Sequence, residues 1–209
     1  MQRFGKKDLF FSIVTGLITG IIAWRVFHFL ERDSFFGIPT IALVFAVPIL
    51  WIIGVNLGYF LGKWMSFFNQ FGRYTAVGFT NFAVDSGVLY LLIALSGYSA
   101  GAWYLLFKAI SFLCAVTQSY VWNRNWVFGA VKNPEMGSEF LKFMGINIGA
   151  IIVNLIVAFV VVNVIKPHFG FTPESWAGIG AIAGSACALL LSFVGFKMSV
   201  FPSQAKINA

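Results

Sequence analysis

Four polar side chains stand where this chain has least use for them: Asn81, Asp85, Lys108 and Gln118 interrupt two otherwise apolar runs. Each run has roughly the 20 residues that a helix needs to cross a hydrocarbon core. Polar groups at such positions mark either an internal lock or a pathway. Asp85 stands eleven residues beyond Tyr74, about 16 Å along a helix, and Lys108 about 8 Å inside the far end of the next run. In a core about 30 Å thick the two differ in depth by a turn or two, within reach of a lysine stem. Either they pair and fix the packing of the two helices, or one of them meets a substrate or carries a proton. An unpaired charge at that depth costs at least ~2.5 to 3.5 kcal/mol.

A second cluster closes the later run. Ser119, Tyr120, Asn123 and Arg124 follow at helical spacing, which puts Tyr120, Asn123 and Arg124 on one face. A guanidinium suits phosphate because its planar fork donates to two oxygens at once. An arginine that only sets topology has no need of the neighbouring amide and hydroxyls, so the cluster points to a head group. Arg73 and Lys197 join it as candidate phosphate ligands. Asn147 and Asn154 lie two turns apart and can face the same interior as Asn81, where hydrogen bonding between helices explains them as well as sugar recognition does.

Composition limits what these groups can serve. The 209 residues are 59% hydrophobic and 10% charged, with a mean hydropathy of +0.87, against about 25% charged in soluble domains. The net charge of +7 is scattered between apolar runs instead of forming a patch, which argues against nucleic acid. No phosphate loop, H-E-x-x-H or Cys/His cluster is present, and the longest internal connection, Gly129 to Lys142, is far below the size of a domain. The expectation is a protein that is no enzyme and holds no cofactor or metal. Cys114 and Cys187 read as small packing residues. The first apolar run, Leu9 to Leu30, exceeds the roughly 7 to 15 residues of a signal-peptide core.

Six runs are long enough to span: Leu9 to Leu30, Ile38 to Leu61, Tyr74 to Leu95, Trp103 to Trp126, Phe143 to Ile165 and Ala177 to Phe196. Each must be a helix, because lone strands leave their backbone unsatisfied in lipid. Ten basic residues flank the spans on one side (Arg3, Lys6, Lys7, Lys63, Arg73, Arg124, Lys132, Lys142, Lys197, Lys206) and two on the other (Arg32, Lys166). The positive-inside rule then places both termini in the cytoplasm. Arg25 reads as a snorkelling side chain near the outer end of the first span. Pro48 predicts a kink or hinge in the second span. Trp64, Trp103, Trp126 and Trp176 sit at span ends, as members of an aromatic belt.

The last four spans look like a duplicated hairpin. Adding 73 pairs Asn81 with Asn154, Cys114 with Cys187, Ser119 with Ser192 and Phe128 with Phe201. Phe71-x-Arg73-Tyr74 instead pairs with Phe140-x-Lys142-Phe143 at an offset of 69, which predicts four extra residues before the second asparagine. Two-span units enter from the same side, so the repeat is parallel, about an axis along the membrane normal. Phe196 stands where Asn123 does, which makes any head-group site asymmetric. The predicted fold is an all-α integral membrane protein of six transmembrane helices. Residues 1–62 form a two-helix hairpin and 63–209 a four-helix domain, with repeats at about 67–130 and 139–203.

Residues Phe71 to Phe128 also carry a pattern. The order F-x-R-Y-x-x-V-G-x-x-N-x-x-V-D, then K-x-x-S-F, then S-Y-x-x-N-R-x-W-x-F resembles the GtrA-like family of small membrane proteins, with a looser resemblance from Phe140 to Phe201. The resemblance implies a bacterial inner-membrane protein that moves a polyprenyl-phosphate-linked sugar from the cytoplasmic to the outer leaflet for cell-surface polysaccharide glycosylation. On that reading Arg124, with Arg73, captures the phosphate, while Asn81, Asp85, Gln118, Ser119, Lys108 and Asn154 line the polar path. Two other readings stay open: a non-transporting adaptor that anchors a membrane glycosyltransferase by its first hairpin, and a small-solute transporter. Partners are then the sugar lipid, membrane lipids and a glycosyltransferase, with homo-oligomerisation left open.

Overall fold

The protein is represented by a computed structural model that describes residues 3–35, 37–129, 136–165 and 173–201. Its helices are α1 (Lys6–Phe29), α2 (Leu43–Leu61), α3 (Phe67–Ser96), α4 (Gly101–Trp122), α5 (Met136–Phe159) and α6 (Pro173–Gly195). With their extensions, six helices are long and apolar enough to cross a membrane, the form in which a chain satisfies its own backbone in lipid. The protein is a multi-pass membrane protein. Between α1 and α2 lies a feature the sequence did not suggest, two antiparallel two-residue strands that pair Ser34 with Pro39 and Phe35 with Ile38. The chain leaves α3 through Gly97, at φ +76, whose N–H bonds the Ile93 carbonyl at 2.8 Å. Glycine takes that left-handed cap without a Cβ clash.

The chain divides into two compact units, residues 1–129 and 130–209. In the first of them the helices α1 and α2 pack directly on α3. Small residues make this possible. Ser12, Thr15, Gly16, Thr19 and Gly20 form the buried stripe of α1. A Cβ added at Gly16 would lie 2.5 Å from Pro48 Cα, and one at Gly20 would meet the Leu43 carbonyl. Close backbone approach of this kind holds helices together in lipid, where burying leucine offers little drive. Pro48, read as a kink or hinge, lies buried within α2 on the surface that receives Gly16. Behind it, Thr80 of α3 accepts the Thr19 hydroxyl at 3.0 Å and the Trp51 indole N–H at 3.5 Å, and donates to the Ala76 carbonyl at 2.9 Å.

The hairpins α3–α4 and α5–α6 use the same devices. After α4 the helix widens at Asn123–Val127 into a π-turn, closed by the Phe128 N–H on the Asn123 carbonyl at 2.9 Å. After α6 it widens at Phe196–Val200, closed by Phe201 on Phe196 at 2.7 Å. Tyr74 meets Phe128 at 6.3 Å and 54°; Phe143 meets Phe201 at 6.2 Å and 57°. Helix α5 runs unbroken through Phe143 and Asn154, so four extra residues before that asparagine would add about one helical turn and no loop. An offset of 69 kept along the whole helix would instead set Asn154 against Asp85.

Two further expectations change. Cys114 and Cys187 lie exposed on their helices instead of packed inside. Trp64 and Trp103 are 69% and 51% exposed, as belt residues are, but Trp126 is 1% exposed and belongs to the core.

Gly16→Leu should lower the thermal midpoint of the purified protein or abolish its yield, since overpacking costs about 1–3 kcal/mol and here meets backbone. Gly54→Ala, with nothing within 4 Å of the added Cβ, should leave the midpoint unchanged; thermal unfolding in detergent compares the two.

Candidate functional site

Polar side chains gather along the seam between α3 and α4. Asp85 accepts from Lys108 Nζ with one carboxylate oxygen, and from Ser111 Oγ at 2.6 Å with the other. Lys108 and Ser111 are three residues apart and so share a helix face, which is the geometric sense of the K-x-x-S spacing. The Asp85 side chain is 20% exposed and that of Lys108 45%, while Ser111 is fully buried. One turn earlier on α3, Asn81 Oδ1 faces Gln118 Nε2 at 3.5 Å. The residues read as lock or pathway thus meet in pairs across one seam, and Ser111 belongs with them.

Towards the other end of α4 the π-turn reorganises the second cluster. Asn123, 1% exposed, turns inward and donates through Nδ2 to the Ser119 carbonyl at 2.9 Å, with Ser119 Oγ at 3.2 Å. Its Oδ1 is a buried acceptor with no partner among the described residues. Ser119 and Tyr120 are buried too, whereas Arg124 remains half-buried. The face that helical spacing gives to Tyr120, Asn123 and Arg124 is therefore largely a buried one. Two of the three point into the protein, and Arg124 keeps partial access.

Arg73 is engaged inside the bundle. Its Nη1 donates to the Trp126 carbonyl at 2.8 Å and its Nε to the Asn69 carbonyl at 3.1 Å, and the guanidinium lies 5.7 Å from the Tyr59 ring. Nearby is a carboxylate that sequence reasoning missed. Asp8, in the first turn of α1, accepts the Trp126 indole N–H at 3.0 Å, the Tyr59 hydroxyl at 3.1 Å and the Gly5 backbone N–H at 3.1 Å, with Arg73 Nη1 at 3.9 Å. Its only sequence signal was an acid among Arg3, Lys6 and Lys7 at the head of a span, which reads as helix-terminus charge.

In the second hairpin, Asn154 Nδ2 donates to Ser185 Oγ at 3.2 Å. Asn147 bonds back to the Phe143 carbonyl of its own helix at 2.9 Å. Lys197 lies 5.9 Å from the Phe193 ring. Phe196, where the first hairpin has Asn123, stacks on Phe143 at 4.2 Å. Among the described residues no group of His, Cys, Asp or Glu could hold a metal.

A helical membrane bundle with a polar seam inside one hairpin defines the class. Residues 73–201 match the GtrA/DPMS transmembrane domain, and the chain belongs to that family. It is also 29% identical over 135 residues, 65% of this chain and 81% of the other, to the uncharacterized membrane protein YngA of Bacillus subtilis (strain 168). No solved structure matches it.

Asp85→Ala and Lys108→Ala should each lower the thermal midpoint more than the double replacement does, by roughly 1–3 kcal/mol per single change, because each leaves one charge of the pair uncompensated. Fully additive losses across the four proteins would show that the ion pair contributes nothing to the folded state.

Proposed function

We propose that the protein is a flippase for a polyprenyl-phosphate-linked sugar, a carrier and not an enzyme, working in the bacterial inner membrane with both termini in the cytoplasm. Membership of the GtrA/DPMS family supports a role in the polyprenyl-phosphate sugar pathway. The observation that carries the finer reading is the run of polar groups along one seam: Asn123 and Ser119, then Gln118 with Asn81, then Asp85 with Ser111 and Lys108. At its head stands the half-buried Arg124. Arg124 takes the lipid phosphate, and the seam offers successive hydrogen-bond partners to the sugar. Arg73 serves differently from the expectation: bonded to Asn69 and Trp126, it shapes the end of the bundle instead of gripping the lipid. Lys197 and Asn154, 73 residues beyond Arg124 and Asn81, are their counterparts in the second hairpin. The matched π-turns and aromatic contacts support reading residues 67–130 and 139–203 as a parallel duplication. An adaptor for a glycosyltransferase would need no polar seam inside the membrane.

Arg124→Lys keeps the charge and removes the fork. With hydrogen bonds to charged groups at about 1.5–3 kcal/mol, affinity for a polyprenyl phosphate should fall roughly ten- to a hundredfold, and flipping in proteoliposomes with it. Yield should stay normal, and Lys197→Arg should not weaken binding. Curves that superimpose on the parent's would return Arg124 to a topological role and favour the adaptor. Orientation has its own check: in a background without Cys114 and Cys187, cysteines at Ser34 and Ser99 should label from outside intact cells and one at Ser66 should not.

A further inference from the structure

The candidate phosphate ligand stands on a π-turn, and π-turns are local distortions that need support. Here the support comes from the far end of the sequence. Two polar groups of Trp126, the fourth residue of that turn, are held from α1 and α3: the indole N–H by Asp8 at 3.0 Å and the carbonyl by Arg73 at 2.8 Å. Its ring stacks on Phe11 of α1 at 5.5 Å and 20°, and Phe11 also meets Trp122 edge-on at 5.6 Å. Asp8 is 7% exposed and reaches Arg73, Tyr59 and Trp126 at once. A buried carboxylate with that many donors has one low-energy position.

We infer that Asp8 is a positioning residue for Arg124. It lies outside the matched family region, in the first hairpin, and fixes the π-turn through Trp126 and Arg73 so that the guanidinium two residues before Trp126 is presented in one orientation. This rests on the phosphate role proposed for Arg124. It gives the first hairpin a share in lipid recognition without any contact with lipid phosphate. The second hairpin has no such support in its sequence: Lys142 stands where Arg73 does and Ser199 where Trp126 does, and Lys142 is exposed.

The experiment uses the full-length protein in nanodiscs, with a synthetic polyprenyl phosphate as the probe. Asp8→Asn keeps the shape and removes the charge; Asp8→Glu restores it. Where Asp8→Asn fails to fold, Trp126→Phe replaces it, since it keeps the ring against Phe11 and loses only the indole donor. Amide exchange over residues 123–128 should quicken in Asp8→Asn and recover in Asp8→Glu. Affinity for the probe should fall about five- to tenfold, as for contacting residues that share one network. Combined with Arg124→Lys, Asp8→Asn should cost nothing further, because there is no fork left to orient. Unchanged exchange at 123–128 overturns the inference whatever binding does. So does an undiminished affinity in Asp8→Asn, or a double variant whose losses multiply. If Arg124→Lys alone binds normally while exchange still quickens, the support of the turn stands and the phosphate reading of Arg124 falls.

Discussion

A carboxylate in a lipid-facing helix must find its cation and its donors inside the same chain, because hydrocarbon offers neither. Two carboxylates impose this on the first unit. Asp85 ties α3 to α4 through Lys108 and Ser111, and Asp8 ties α1 to α2, α3 and the end of α4 through Tyr59, Arg73 and Trp126. Each lies where helices meet, and each loses its compensation if the helices part. Hydrophobicity cannot hold such a bundle together, since lipid tails are as apolar as leucine. These two junctions, with the small-residue stripe of α1, set which helices are neighbours and at what register.

The stripe and the junctions depend on each other. Asp8 reaches Trp126 only if α1 lies close against its neighbours, and Gly16 and Gly20 permit that approach where they meet Pro48 and Leu43. Thr19 and Thr80 then find one another at 3.0 Å, an arrangement that a wider spacing would leave as two hydroxyls each confined to its own helix. Geometry at the middle of α1 is thus transmitted to the chemistry at its end.

Much of this was legible in the sequence, and the failures share one cause. Span number followed from the length of the apolar runs, and the meeting of Asp85 with Lys108 from depth alone, because helix rise converts residue count into ångströms. Asp8 was not legible because its main partner, Trp126, lies 118 residues away, and nothing local marks an acid in a first turn as a hub. Trp126 was misread for the same reason: a tryptophan at a span end is usually an interfacial anchor, and only the presence of α1 buries it. Tyr120 and Asn123 share a face as their spacing requires, but spacing alone could not say that this face is buried.

The two hairpins share backbone devices and differ in the polar groups they carry. The π-turns and the aromatic contact beside them recur almost unchanged, and they are devices of backbone geometry. The Asp85–Lys108 ion pair does not recur: Asn154 stands 69 residues beyond Asp85 and Ala181 stands 73 beyond Lys108, so neither position leaves a charge without its partner. Asn123 becomes Phe196, and a stacked ring at 4.2 Å replaces an amide. The backbone devices are thus common to both hairpins, while the Asp85–Lys108 pair and the buried Asn123 belong to the first, which is also the one whose π-turn α1 supports.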